Sequence, residues 1–245
     1  MRTTTFSTRA LLSGTVICLS PHLERVIPVG DDVRRRAAPA ATYTLIAGNV
    51  AAFAYSLARG FEYVVSSYGF KPAYLLEGVK LETLLTSLFL HGGFAHLAGN
   101  MLFLYIFGRS VEDRLGPLPY FLLYLASGVA GCLLHSAAVL LMPPSLVAGE
   151  LARPLIGASG AISGVLGAYV VFFPEARVLT LVPYYYIVLL RVPARFYVLA
   201  WFAYQLALGA AGLGYPLAVA AWAHVGGFAA GAAAALALER VARRP

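Results

Sequence analysis

The sequence predicts an all-α membrane protein of six transmembrane helices with a long interfacial first loop. Three observations carry this. The chain of 245 residues is 60% hydrophobic and 12% charged, against about 45–50% and about 25% for soluble domains. With a mean hydropathy of +0.77, it holds more apolar surface than one globule hides from water, which points to lipid as the solvent. The apolar residues also fall into runs separated by charged residues and proline, and the basic residues segregate to one side of the resulting topology.

Residues 1–42 read as a basic, irregular cytoplasmic extension closed by Arg34-Arg35-Arg36 and Pro39. Its apolar run Leu11 to Leu19 loosely resembles a signal-peptide core, but Ser13 and Gly14 break it and no good small-residue cleavage site follows. The membrane domain is expected over residues 43–241, with a short cytoplasmic tail at 242–245. Its first span runs from about Tyr43 to Ala58. The stretch from Arg59 to Gly93 mixes aromatics with Arg59, Glu62, Lys71, Glu77, Lys80 and Glu82. It is too polar to span and too apolar for a plain linker, so short amphipathic pieces at the membrane interface are expected. The second span covers His96 to Phe107, closed by Arg109, Glu112, Asp113 and Arg114. The third covers Leu118 to Met142, ended by Pro143-Pro144. The fourth runs from Ser159 to Phe173, the fifth from Phe196 to Gly212, and the sixth from Leu217 to Leu238, followed by Glu239 and Arg240.

Six spans place both ends of the chain on one side. Of the basic residues, only Arg59, Lys71, Lys80 and Arg153 fall on the opposite side. The positive-inside rule then puts both termini in the cytoplasm of a multi-pass protein of the cell membrane. The same asymmetry accounts for the net charge of +7, so no nucleic-acid partner is inferred. Cys18 and Cys132 have neither disulfide nor zinc spacing, and no metal or cofactor is expected.

Four polar side chains sit where membrane helices rarely carry them without a function: His96 and Asn100 in the second span, Ser159 in the fourth and His224 in the sixth. At about 1.5 Å of rise per residue, Ser159 and His224 each lie roughly 22 Å from the cytoplasmic end of their spans. His96 lies about 20 Å and Asn100 about 14 Å from theirs. The first three therefore share a level in the outer half of a hydrocarbon core about 30 Å thick. Ser159 belongs to Gly157-Ala158-Ser159-Gly160-Ala161-Ile162-Ser163-Gly164, which places a serine at a helix N-terminus, where free N–H groups favour developing negative charge. Gly160 and Gly164 form a small-residue face on the fourth span. Gly227 and Gly231 share a face with His224 on the sixth. Facing glycines let the two backbones approach closely enough for His224 to reach Ser159 and act as its general base. Against this stand bland readings: glycines as packing devices, His135 as a helix–helix hydrogen bond, and His96 with Asn100 as helix glue; His91 is expected at the membrane surface, supporting the entry of the second span.

The segments His91-Gly92-Gly93-Phe94-Ala95-His96-Leu97-Ala98-Gly99-Asn100, Gly157-Ala158-Ser159-Gly160 and Ala223-His224-Val225-Gly226-Gly227 with Gly231 closely resemble those of the rhomboid intramembrane serine proteases. The resemblance extends over roughly residues 26–240, including Ile27-Pro28-Val29-Gly30-Asp31-Asp32. It implies a six-helix rhomboid bundle with a wet cavity open to the outside, and a dyad of Ser159 and His224 without aspartate. It further implies an oxyanion hole from the side chains of His96 and Asn100 with the Ser159 N–H, and transmembrane protein substrates. Two positions depart from the family pattern. Glu82-Thr83 stand where Trp-Arg often helps anchor the first loop. Ser163 stands where an aromatic often stacks on the catalytic histidine, so another group must orient His224. Competing readings are a transporter or proton channel with a His/Asn/Ser pathway, and a binding pseudoprotease. The first should carry polar groups through the cytoplasmic half, which is almost wholly apolar; the second should lack the serine or the histidine.

Overall fold

The computed structural model describes residues 27–183, 187–211 and 220–242; the Leu11–Leu19 run and Cys18 lie outside the described residues. Strand β1 (Ile27–Asp31) opens the fold and leads to helix α1 (Ala40–Arg59). Pro39 offers no side-chain cap for α1. The cap comes from 70 residues away: the buried Glu112 carboxylate accepts the Ala41 and Thr42 N–H groups and the Thr42 hydroxyl, at 2.7–2.8 Å. A carboxylate at a helix N-terminus satisfies orphan donors and complements the helix dipole.

Gly60, at φ 98°, ends α1. The segment that follows folds into α2 (Phe61–Tyr68), α3 (Pro72–Glu77) and α4 (Thr83–Thr86), the last running into a 3-10 turn at Ser87–Phe89. Helix α5 (Phe94–Phe103) passes through a π-helical stretch at Leu104–Gly108 into α6 (Arg109–Leu115) without a break. Gly116, at φ 84°, then turns the chain, and Pro117 occupies the first position of α7 (Pro117–Leu140). After α8 (Pro144–Ala152) and α9 (Ser159–Phe172) come strands β2 (Arg177–Pro183) and β3 (Ile187–Pro193), then α10 (Ala194–Ala211) and α11 (Ala220–Ala242).

Every apolar run expected to span forms a helix over its described part to within two residues, α7 stopping at Leu140 and α9 at Phe172, and α5 extends further, through α6, than its run alone suggests. Among the described residues, two helices are long and apolar enough to cross a membrane, Pro117–Leu140 and Ala221–Val241; Ser159–Phe172 is a shorter apolar helix. The all-α expectation needs one correction. The end of the leader is not irregular: β1 joins β2 and β3 in an antiparallel sheet of order β1-β2-β3, with Ile27 opposite Leu181 and Arg177 opposite Pro193. Val178 and Thr180 alternate inward and are fully buried, the period of a half-buried strand. Asp31 fastens β1 to the bundle. Its carboxylate pairs with Arg35 at 2.7 Å and accepts the hydroxyls of Ser110 (2.6 Å) and Tyr169 (3.1 Å).

Helix α9 lies at the centre, with every residue from Gly160 to Tyr169 buried. A side chain added at Gly227 would run into the Gly160 carbonyl, and one at Gly231 into the Gly164 carbonyl. Both contacts advance in the same direction, so α9 and α11 run parallel with backbones touching. Helix α7 packs into the same seam: a Cβ at Gly131 would come within 2.6 Å of the Ala223 carbonyl of α11. Small residues at these crossings replace the side-chain layer that separates ordinary packed helices.

Candidate active site

Ser159 is the first residue of α9. The turn before it is held at three points. Phe70 and Leu155 exchange backbone hydrogen bonds of 3.2 and 2.7 Å, and the Gly157 N–H donates to the Ser87 carbonyl at 3.0 Å. These bonds tie the segment after α1 to the approach of the serine. They anchor it without the side chains at 82 and 83: the Thr83 hydroxyl donates to the nearby Lys80 carbonyl, and Glu82 is exposed. Gly157 sits at φ 127°, and a Cβ there would lie 3.0–3.1 Å from the His96 ring. Glycine is required twice over, by backbone conformation and by the imidazole against it.

His224 stands in the second turn of α11 with its ring between α9 and α10. Its Nε2 is 2.8 Å from Ser159 Oγ, and its Nδ1 is 2.9 Å from Gln205 Oε1 of α10. An amide oxygen only accepts, so Nδ1 carries the proton and the Nε2 lone pair faces the serine hydroxyl. The Trp201 ring lies beside the imidazole, centroids 5.8 Å apart. Ser163 is buried and turned away; its hydroxyl donates to the Ser159 carbonyl at 2.6 Å.

Across the site, the Gly92 N–H donates to His96 Nδ1 at 3.3 Å. A backbone N–H cannot accept, so the neutral ring keeps its proton on Nε2, on the edge that meets Gly157. Asn100, one turn further along α5 on the same face, has a buried Nδ2 with no hydrogen-bond partner among the described residues. Such a donor is costly to bury unpaired. His91 packs edge-on against His96, centroids 5.1 Å apart. Burial, and after it the His96 imidazole, pushes its pKa down to about 4, so His91 is neutral near pH 7 and supports His96 without adding charge.

The structure thus places Ser159, His224 and His96 near the N-terminal ends of α9, α11 and α5, with Asn100 one turn further along α5 than His96. The glycines Gly160, Gly164, Gly227 and Gly231 form the seam behind them. His135 is buried in α7. Sequence reasoning passed over Gln205 and Trp201. The available signal was a lone amide in an otherwise apolar helix, four residues after a tryptophan and so on its face.

The arrangement offers a serine hydroxyl against an imidazole nitrogen at a helix N-terminus, the elements that acyl transfer uses. The rhomboid-domain family model matches residues 79–241, which include all these side chains. Among curated proteins, the chain is 34% identical over 141 residues to the mitochondrial rhomboid protein 1 of Saccharomyces cerevisiae, covering 57% of this chain and 38% of that protein. It is 39% identical over 102 residues to the rhomboid protease GluP of Bacillus subtilis, covering 42% and 18%. It is also 33% identical over 91 residues to the inactive rhomboid protein 1 of Drosophila melanogaster, covering 37% and 6%. The matched stretches span less than half the length of each of these relatives.

Proposed function

The chain belongs to the rhomboid family, and on that premise we propose that it is an intramembrane serine endopeptidase that cleaves transmembrane helices near their outer end. The family is membrane-embedded and holds both proteases and inactive members, so the assignment rests on this chain's own residues. The observation that carries it is the 2.8 Å contact between Ser159 Oγ and His224 Nε2, made by a ring whose other nitrogen is already engaged. That combination disfavours the pseudoprotease reading. The transporter reading would need polar side chains continuing along α9 and α11, whose inner stretches are alanine, glycine and large apolar residues.

In this reading Ser159 Oγ attacks the scissile carbonyl carbon while its proton passes to His224 Nε2. The negative charge that forms on the carbonyl oxygen is met by Asn100 Nδ2, His96 Nε2–H and the Ser159 N–H at the start of α9. The C–N bond then breaks, with the proton delivered from His224 to the leaving amine. Water, deprotonated by the same imidazole, hydrolyses the acyl-enzyme and restores Ser159. No metal or cofactor takes part.

The fold is read as six spans, α1, α5 with the π-helical stretch after it, α7, α9, α10 and α11, in the cell membrane with both termini cytoplasmic. The exposed apolar residues of the first loop, Tyr63, Leu76, Leu81 and Leu85, suit an interfacial position in the outer leaflet. The parallel course of α9 and α11 puts the starts of both, and so the dyad, at one level. A substrate bond inside an intact helix is shielded, so the substrate must unwind locally where water and protein satisfy its backbone. Gly, Pro or polar residues near its outer boundary lower that cost. The crowded turn at Gly157 and Ala158 favours a small residue before the cut. The test is labelling with a serine-reactive fluorophosphonate: wild type should label and Ser159→Ala should not, with loss of reporter cleavage in parallel. Equal labelling of the two would sink the assignment.

A further inference from the structure

We propose that Gln205 is a positioning residue of this site, holding His224 in the tautomer and orientation that make it a base; the inference rests on the Ser159–His224 reading. Gln205 is buried at 6% exposure, and its Oε1 accepts from His224 Nδ1 at 2.9 Å. In the serine triad of soluble proteases, the group at that nitrogen is a carboxylate, which fixes the tautomer and stabilises the imidazolium. Here a neutral amide does the first task and contributes only its dipole to the second. That division suits a site in the membrane, where an ionised carboxylate carries a heavy desolvation cost.

The rest of α10 is arranged to keep the amide in place. Trp201, one turn before Gln205 and on the same face, flanks the imidazole. Phe202 stacks on Phe228 of α11 with centroids 4.2 Å apart, and Trp222 Nε1 donates to the Gly209 carbonyl at 3.2 Å. These contacts clamp α10 to α11 on both sides of Gln205, antiparallel and in a fixed register. The aromatic that the family often carries four residues after the serine is replaced by Ser163, which points into its own helix. The orienting function has thus moved from α9 to α10.

A glutamine in a membrane helix is also a common helix–helix link, and the experiment separates the two roles by shape and acceptor. Gln205→Met keeps the side chain's length and removes the acceptor. Gln205→Glu keeps an acceptor oxygen whether ionised or protonated. The full chain is reconstituted in lipid vesicles with a single-span reporter substrate, and kcat, KM, fluorophosphonate labelling rate and thermal stability are measured beside wild type and Ser159→Ala. Gln205→Met should lower kcat and the labelling rate roughly 10–100-fold, the span expected when a buried imidazole N–H loses its partner, with KM unchanged. Gln205→Glu should retain kcat within a few-fold. Wild-type turnover in Gln205→Met, or equal losses in both variants, overturns the role. Nitrogen-15 shifts of the wild-type His224 ring add a test that does not depend on the variants folding: the Nδ1–H tautomer is expected, and a predominant Nε2–H tautomer refutes the proposal. If instead Ser159→Ala labels like wild type, it is the dyad itself that fails.

Discussion

Helices α9 and α10 both hold α11, and they do it by opposite means. Against α9 the contact is backbone to backbone: Gly227 on the Gly160 carbonyl and Gly231 on the Gly164 carbonyl. Against α10 it is made by side chains: Phe202 on Phe228, Trp222 on Gly209, and Gln205 on His224. Helix α9 is buried over ten successive residues, whereas α10 leaves Phe196, Leu199 and Leu206 exposed. A glycine seam has no rotamers to rearrange, so it fixes the Ser159–His224 distance. A side-chain contact adapts more readily, and it sets which way the ring faces. The difference teaches that distance and orientation, the two requirements of the proposed dyad, are supplied by different neighbours and should fail separately.

The largest expected effect breaks the seam. Gly231→Leu places a branched side chain on the Gly164 carbonyl, so α11 must move off α9. The cost should reach the upper end of overpacking, about 3 kcal/mol or more, with loss of both cleavage and fluorophosphonate labelling. It is read as a fall in thermal stability of the purified protein alongside activity. A stable, active Gly231→Leu would show that the seam does not set the distance.

The seam was legible in the sequence because glycines four apart mark a helix face whatever the tertiary context. The helices themselves were legible for a similar reason, as apolar runs bounded by charge and proline. The sheet was not. Val178 and Thr180 alternate inward over a stretch too short to announce itself beside long apolar runs, and its partner Ile27–Asp31 lies about 150 residues away in a basic leader of mixed composition. The anchoring of the turn before Ser159 was invisible too, because the Phe70–Leu155 pairing uses main-chain atoms, which no residue identity reports. Gln205 escaped because a single amide has no spacing to recognise; only the fold gives it His224 as a partner.

The next effect leaves the seam intact and removes chemistry from the α5 side. Asn100→Ala deletes a donor that is unpaired in the resting protein and would be used only as charge develops. Turnover should fall about 10²–10³-fold with little change in KM, and stability should not drop, since no bond among the described residues is lost. His96→Ala should behave likewise in turnover but also destabilise, because it vacates the space against Gly157. A rise in KM alone would make either residue a substrate contact instead. A smaller effect belongs to the α10 side. Trp201→Leu keeps bulk beside His224 and removes the flanking ring, so kcat should fall roughly 2–10-fold, the worth of one ring pair. If Trp201→Leu cost as much as Asn100→Ala, orientation would matter as much as oxyanion binding, and the proposed division of labour between α9 and α10 would need redrawing.

The smallest expected effect sharpens the comparison on α9 itself. Ser163 occupies the position from which an aromatic could have oriented His224, yet its hydroxyl bonds the Ser159 carbonyl. That carbonyl already receives the main-chain N–H one turn on, as in any α-helix, so the hydroxyl is a second and dispensable donor. Such back-bonding adds little and often slightly destabilises a helix. Ser163→Ala removes one oxygen, exposes no unpaired carbonyl and leaves both the glycine seam and the Gln205 contact untouched. Stability should change by no more than about 0.5 kcal/mol, the low end for a lost hydrogen bond, and turnover should remain close to wild type. A large loss of turnover without loss of stability would mean that α9 helps to orient the imidazole after all, through the backbone at Ser159, and that distance and orientation are not separable in this protein.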